Sequence, residues 1–200
     1  MSDKIAKIIS FILHPLLMPT LGMVFILNSG NYMSYLPFEA KTFLISIVIL
    51  GTLILPLSMV PVFSYFRVIS NIEIDKASER TFPLLITSIL YFMTYYFTRR
   101  FPLPIINAFL LAASLAVFIN FLINLRWKIS SHMIGLGGLT ALMSALSFRL
   151  HVDITLFLII GILISGLAGF ARLQLQKHSS FQVYGGYFLG YLVSLAVFFL

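Results

Sequence analysis

Residues 181–200, FQVYGGYFLGYLVSLAVFFL, run for 20 positions without a charged side chain. At 1.5 Å of rise per residue such a helix reaches roughly 30 Å, the thickness of a bilayer's hydrocarbon core. A helix on a soluble protein needs a polar face, and this stretch has none, so it reads as a membrane span. The pattern repeats toward the N-terminus. Further apolar runs, bounded by charges or by Pro and Gly, lie at 154–171, 132–148, 103–125, 83–98, 42–66 and 5–27. Together the runs take up most of the 200 residues, and at 60% hydrophobic and 10% charged the chain falls far below the quarter or so of charged residues in soluble domains. The expected fold is an all-α integral membrane protein, a bundle of six or seven transmembrane helices, forming a single domain over 1–200.

Two runs carry signs of irregularity. The first holds His14-Pro15 and Pro19 and is expected to kink. Lys4 and Lys7 precede it as in a signal peptide, but no small-residue cleavage site follows, so it is expected to stay as the first helix. The third run is the shortest and is expected to be tilted or partly re-entrant. Four late runs place small or polar residues at every fourth position: Ala108, Ala112, Ala116, Asn120 and Asn124; Gly137, Ala141 and Ala145; Gly161, Ser165 and Gly169; Gly186, Gly190 and Ser194. Lipid supplies little hydrophobic drive for helix association, so close approach through small residues takes its place, and the last four helices are expected to form a tight core.

There is no cysteine, which excludes disulfides, thiolate metal sites and cysteine nucleophiles. The net charge of +7 comes from 13 Lys and Arg against 6 Asp and Glu, too few and scattered for a nucleic-acid surface, and it suits an anionic lipid or phosphate partner better. Seven spans put Lys4, Lys7, Arg67, Lys76, Arg80, Arg126, Lys128, Arg172 and Lys177 on one side and Lys41, Arg99, Arg100 and Arg149 on the other. The positive-inside rule would place the richer side in the cytoplasm. Lys76, Arg80, Lys128 and Arg172, if kept for a substrate, carry no orientation signal, and without them the two sides are nearly even.

The richer side also gathers the chemistry. Lys76 and Arg80 stand one helical turn apart, Lys128-Ile-Ser130-Ser131-His132 opens a span, and Arg172 and His178 precede the last one. Cations, hydroxyl and backbone N–H donors at a helix start, and two histidines are what a phosphoryl site needs: charge clamps, an oriented dipole, a nucleophile and a proton donor. No metal or other cofactor is required. These segments should converge on one pocket at one membrane face, although about 100 residues separate the first from the last.

The residues from about 76 to 190 resemble the type 2 phosphatidic acid phosphatase superfamily, with a phosphatase-like core over about 67–200. ARLQLQKHSSFQ (171–182), followed by a glycine-rich helix, is similar to the family's third motif, S-R-x5-H-x3-D; Ser130-Ser131-His132 is similar to the second, P-S-G-H; and KASERTFP (76–83) to a shortened first, K-x6-R-P. The resemblance implies that His178 attacks phosphorus to form a phosphohistidine and that His132 protonates the leaving alkoxide. It also implies that Lys76, Arg80, Arg172, Ser130 and Ser131 hold the phosphate oxygens of a phosphorylated lipid. Gln182 stands where the family has the aspartate that orients the histidine, and in the serine-protease template replacing that carboxylate by its amide costs about 10⁴ in rate. Asp3, Glu73, Asp75 and Glu79 are the carboxylates expected on the histidines' side, and Glu73, Asp75 or Glu79 are the candidates to replace it. The expected reaction is metal-independent hydrolysis of a lipid phosphate or diphosphate in the inner (cytoplasmic) membrane of a bacterium. The alternative is a catalytically weakened homologue that binds or moves a phosphorylated lipid.

Simpler roles exist for each residue. Lys76 and Arg80 suit a solvated loop paired with acids, Arg172 a membrane-edge arginine, His132 a helix cap, and His14 a polar packing group. Arg99, Arg100, Arg149, His151 and Lys41 read as interfacial anchors, and Trp127 and the tyrosines as an interfacial belt. Asn71-Ile-Glu-Ile-Asp75 has the look of a prenyl-transferase acidic motif, but a second acidic motif to hold magnesium diphosphate is missing.

Overall fold

The structure, a computed structural model, describes residues 1–71 and 76–200. Glu73, Asp75 and most of the acidic stretch weighed above lie outside the described residues. The described chain is helical: α1 (Asp3–Ile12), α2 (Met18–Asn28), α3 (Phe38–Ile49), α4 (Leu55–Tyr65), α5 (Ala77–Thr98), α6 (Pro104–Asn124), α7 (Ser131–Leu150), α8 (Thr155–Gln174) and α9 (Ser180–Phe199). Grouped by continuity they make seven segments long and apolar enough to cross a membrane, with α1–α2 and α3–α4 each forming one. The protein is an integral membrane helical bundle. Its outer surface is apolar: Phe11, Phe38, Leu156, Leu163 and Phe181 are all exposed, as expected where lipid replaces water as the solvent.

The first span breaks as its prolines require. α1 ends at Ile12, a 3₁₀ turn covers Pro15–Leu17, and α2 resumes at Met18. Pro15 has no N–H and occupies the first position of the turn, where none is needed. The second span is interrupted by a π-helical segment, Leu50–Ile54, just before Pro56. Wider turns of this kind relieve the clash a proline imposes on the preceding turn. The third span differs from expectation: α5 is 22 residues long, not the shortest of the seven. The apolar run begins only at Pro83, but the helix already starts at Ala77, with Glu79 favourably placed in its first turn.

The small-residue stripes decide the packing. A Cβ on Gly190 would collide with the backbone carbonyl of Ile134, one on Gly137 with that of Tyr187, and one on Gly186 would lie 2.7 Å from the Ser130 carbonyl, so α7 and α9 touch backbone to backbone. On α6, Ala112, Ala116, Asn120 and Asn124 are buried. α8 is the exception to a four-helix core. Only Ser165, Ala168, Gly169 and Ala171 are buried, Gly166 faces open space, and most of its large side chains meet lipid. The core therefore joins α6, α7 and α9 with α2 and α3, whose Met23, Ile26, Leu27 and Val48 are fully buried, while α5 packs against α6 and α8 lies along the outside.

Candidate functional site

All seven spans, the first through its break, contribute to the wall of a cavity of about 300 Å³. Its polar wall holds Arg80, Lys128, Ser131, His132, Arg172 and His178, with His14 and Asn120 among them. Thus Arg80, His132, Arg172 and His178, taken from three separate stretches of sequence, share one cavity at one end of the bundle. Among the described residues no carboxylate lines it, and no group of three His, Asp or Glu side chains is arranged to hold a metal ion.

His178 is held by the turn between α8 and α9. Gln176 takes a left-handed conformation at φ 52°, Gln176 N–H donates to the Leu173 carbonyl at 2.9 Å, and Lys177 N–H to the Arg172 carbonyl at 3.2 Å. This pair of bonds is a Schellman motif, built on glutamine where glycine is usual, and it returns the chain so that His178 faces the cavity beside Arg172. α9 then starts with a capping box, in which Gln182 Oε1 accepts the Ser179 backbone N–H at 3.0 Å.

The capping bond fixes the tautomer of His178. Because a backbone N–H can only donate, the Gln182 atom facing it is the amide oxygen, and the same oxygen lies 3.3 Å from His178 Nδ1. Nδ1 therefore carries the proton, and Nε2 keeps its lone pair. Burial, and then the positive charges of Arg172, Arg80 and Lys128, hold the imidazole far below its ordinary value of 6.5, at about 3, while the Gln182 bond pulls the other way. At neutral pH His178 is an uncharged base.

The start of α7 is tied in from three directions. Ser130 N–H donates to the Gln182 carbonyl at 3.2 Å. Ser131 Oγ accepts from Arg80 at 2.5 Å and from Asn120 Nδ2 at 2.8 Å. With both lone pairs engaged, the Ser131 hydroxyl proton remains to be donated. Arg80 also donates to the Ile129 carbonyl at 3.3 Å, and Asn124 Nδ2 bonds the Ala77 carbonyl at 2.8 Å and Thr81 Oγ1 at 3.1 Å. The asparagines of the α6 stripe, legible as packing residues in the sequence, thus join the starts of α5 and α7. His132 Nε2 lies 3.1 Å from the Ser10 carbonyl, which can only accept, so Nε2 bears the proton and Nδ1 the lone pair.

Three expected residues stay outside the cavity wall. Lys76 is largely exposed and pairs with Glu79 at 3.3 Å, as a solvated loop cation would. The cause is the start of α5 at Ala77, which puts Lys76 outside the helix while Arg80 turns inward. Ser130 is fully buried under Gly186, and its hydroxyl has no hydrogen-bond partner among the described residues. Gln182 stands behind His178. Glu79 accepts the Ser70 N–H and hydroxyl, at 2.8 and 2.9 Å, and does not orient His178. At the other end of the bundle, two of the arginines read as anchors have partners within the chain. Arg149 donates to the Phe198 carbonyl at the end of α9, and Arg99 lies 4.3 Å over the Tyr96 ring.

Below its basic rim the cavity becomes apolar, lined by Val60, Phe63, Leu84, Tyr91, Phe109 and Val117 among others. From Arg80 to Tyr91 along α5 is roughly 16 Å at the helical rise, about half the hydrocarbon thickness. Leu57 on its wall is 47% exposed, so the cavity is not closed off on that side.

The chain matches no family model, and no curated protein or solved structure is significantly similar to it.

Proposed function

We propose that the protein is a phosphatase of lipid phosphate or diphosphate monoesters, of the type 2 phosphatidic acid phosphatase kind, working through a phosphohistidine and without a metal. The observation that carries this reading is a neutral histidine with its Nε2 lone pair held ready among Arg80, Lys128 and Arg172, at the head of an apolar cavity. A phosphate group fits the rim, and its hydrocarbon chain fits the trough or the adjoining lipid.

In the reaction, His178 Nε2 attacks phosphorus and the bond from phosphorus to the ester oxygen breaks, its electron pair leaving on the lipid alkoxide. The three cations and the Ser131 hydroxyl balance the negative charge on the equatorial oxygens, the electrostatic stabilisation that contributes most to many enzymes of this kind. The leaving oxygen needs a proton. His132 commits its Nε2–H to Ser10, so it serves from Nδ1, after that nitrogen has taken the proton that a phosphate monoanion brings. Water then attacks the phosphohistidine, giving its proton back to His132 and releasing phosphate and neutral His178. A bacterial inner membrane is the proposed setting.

The second reading, a homologue that binds or moves a phosphorylated lipid without hydrolysis, is favoured by Gln182: among the described residues an amide, not a carboxylate, orients His178. Phosphate release by the purified protein in detergent decides between them. Phosphatidic acid, phosphatidylglycerophosphate and undecaprenyl diphosphate should be tried with EDTA present. The phosphatase reading expects turnover that EDTA leaves unchanged, that His178→Ala abolishes and that His132→Ala slows strongly. A fully active His178→Ala protein would remove histidine from the nucleophile's role.

A further inference from the structure

The break in the first span carries a histidine whose position is unlike that of a packing residue. His14 caps the Pro15–Leu17 turn, with Nδ1 accepting the Leu16 backbone N–H at 3.3 Å. That bond leaves the ring's proton on Nε2, and no partner for Nε2–H occurs among the described residues. The ring lies in the wall of the same cavity as Arg80, Arg172 and His178, edge-on to His132 with 5.7 Å between ring centroids. The Nε2–H is not sealed away from the cavity, so it is open to donate to a group bound there. A span broken by two prolines, with α1 lending the Ser10 carbonyl to His132, costs backbone hydrogen bonds.

We propose that His14 is a third histidine of the phosphate site, donating its Nε2–H to an oxygen of the bound phosphate, and that the broken first span exists to bring it there. This rests on the phosphoryl-site reading above, and it extends the site beyond the 67–200 core to the N-terminal span. The neutral tautomer suits a donor whose task is to hold an oxygen, not to transfer a proton. The Leu16 bond keeps it in that form.

The test uses the full chain in detergent, comparing wild type, His14→Ala and His14→Gln, whose side-chain amide places an N–H near the position of histidine Nε2. Two readouts are followed: kcat/KM for phosphate release from phosphatidic acid, and the rise in melting temperature caused by inorganic phosphate. His14→Ala is expected to lower kcat/KM by roughly 10- to 100-fold, the size of a hydrogen bond to a charged acceptor. It should also shrink the phosphate-induced rise, while the melting temperature without phosphate stays near that of wild type and His14→Gln recovers much of both losses. Full activity and full phosphate response in His14→Ala would overturn the proposal. Equal losses in Ala and Gln variants, accompanied by an equal fall in melting temperature without phosphate, would overturn it in favour of a structural role. If wild type releases no phosphate from any lipid, the hydrolytic reading fails, and the phosphate-induced rise still decides whether His14 belongs to the site.

Discussion

Replacing Gln182 by glutamate asks what the amide behind His178 costs. The two side chains are the same length, so the introduced carboxylate can keep both the Ser179 N–H and the His178 Nδ1–H that Gln182 Oε1 now accepts at 3.0 and 3.3 Å. What changes is the charge. A carboxylate about 4 Å from the ring at an effective dielectric of 20 is worth about 4 kcal/mol, or roughly three pKa units. That should lift His178 from about 3 to roughly 6. The ring also gains positive charge as Nε2 bonds to phosphorus, which the carboxylate stabilises and the amide does not. The protease template sets about 10⁴ as the upper bound, and because the existing amide already orients the ring, a gain of about 10²- to 10³-fold is expected. The assay is the pH dependence of kcat/KM for phosphate release, which reports groups of the free enzyme. Wild type should show no His178 limb above about pH 4, and Gln182→Glu an acid limb near pH 6. Gln182→Asp, one methylene shorter, should gain less because its oxygen falls short of Nδ1. Unchanged rate and an unmoved acid limb in Gln182→Glu would refute the assignment of Gln182 as the partner of His178.

Because folding lowers His178 from 6.5 to about 3, the unfolded chain binds more protons between those values, so this group's contribution is fully present above about pH 6.5 and is lost as pH falls toward 3. Thermal unfolding in detergent should show wild type losing more stability than His178→Gln between about pH 6.5 and 4, and parallel curves would contradict it. Lys76→Ala should keep activity within about twofold, the worth of an exposed pair, while Arg80→Ala should cost about 10-fold or more in kcat/KM, since only Arg80 reaches Ser131 and the cavity. Gly190→Ala should destabilise by about 3 kcal/mol or more because its methyl meets the Ile134 carbonyl, whereas Gly166→Ala, facing open space, should stabilise by up to about 1 kcal/mol; equal effects in a denaturation series would disprove the close α7–α9 approach. Gln176→Pro should abolish phosphate release, since proline can neither adopt φ 52° nor donate the N–H that closes the Schellman turn.

Most of the fold is legible in the sequence because lipid imposes one rule on every residue of a span: the backbone must bond to itself and the side chains must be apolar. That rule locates all seven spans and the kink at Pro15. It misses the first turns of α5, where Glu79 and Arg80 interrupt the apolar run and hydropathy does not mark the helix. The small-residue stripes foretell the α7–α9 contact, since a glycine beside a carbonyl leaves a sequence trace, but α8 has the same trace and buries only one stripe, because spacing says which face packs and not how much of the helix does. The cavity is legible by residue type: spacing and likeness point to Arg80, Ser131, His132, Arg172 and His178, and all five line it. Lys76 departs from that pattern through a single residue's difference in where α5 begins. For His14 and Asn120 the sequence suggests packing alone. A lone polar residue in an apolar run serves a neighbouring helix as readily as a ligand, and only the folded chain, in which α1 ends against α7, separates the two. Such a residue's role depends on which helices become neighbours, and a periodicity counted along one helix does not contain that information.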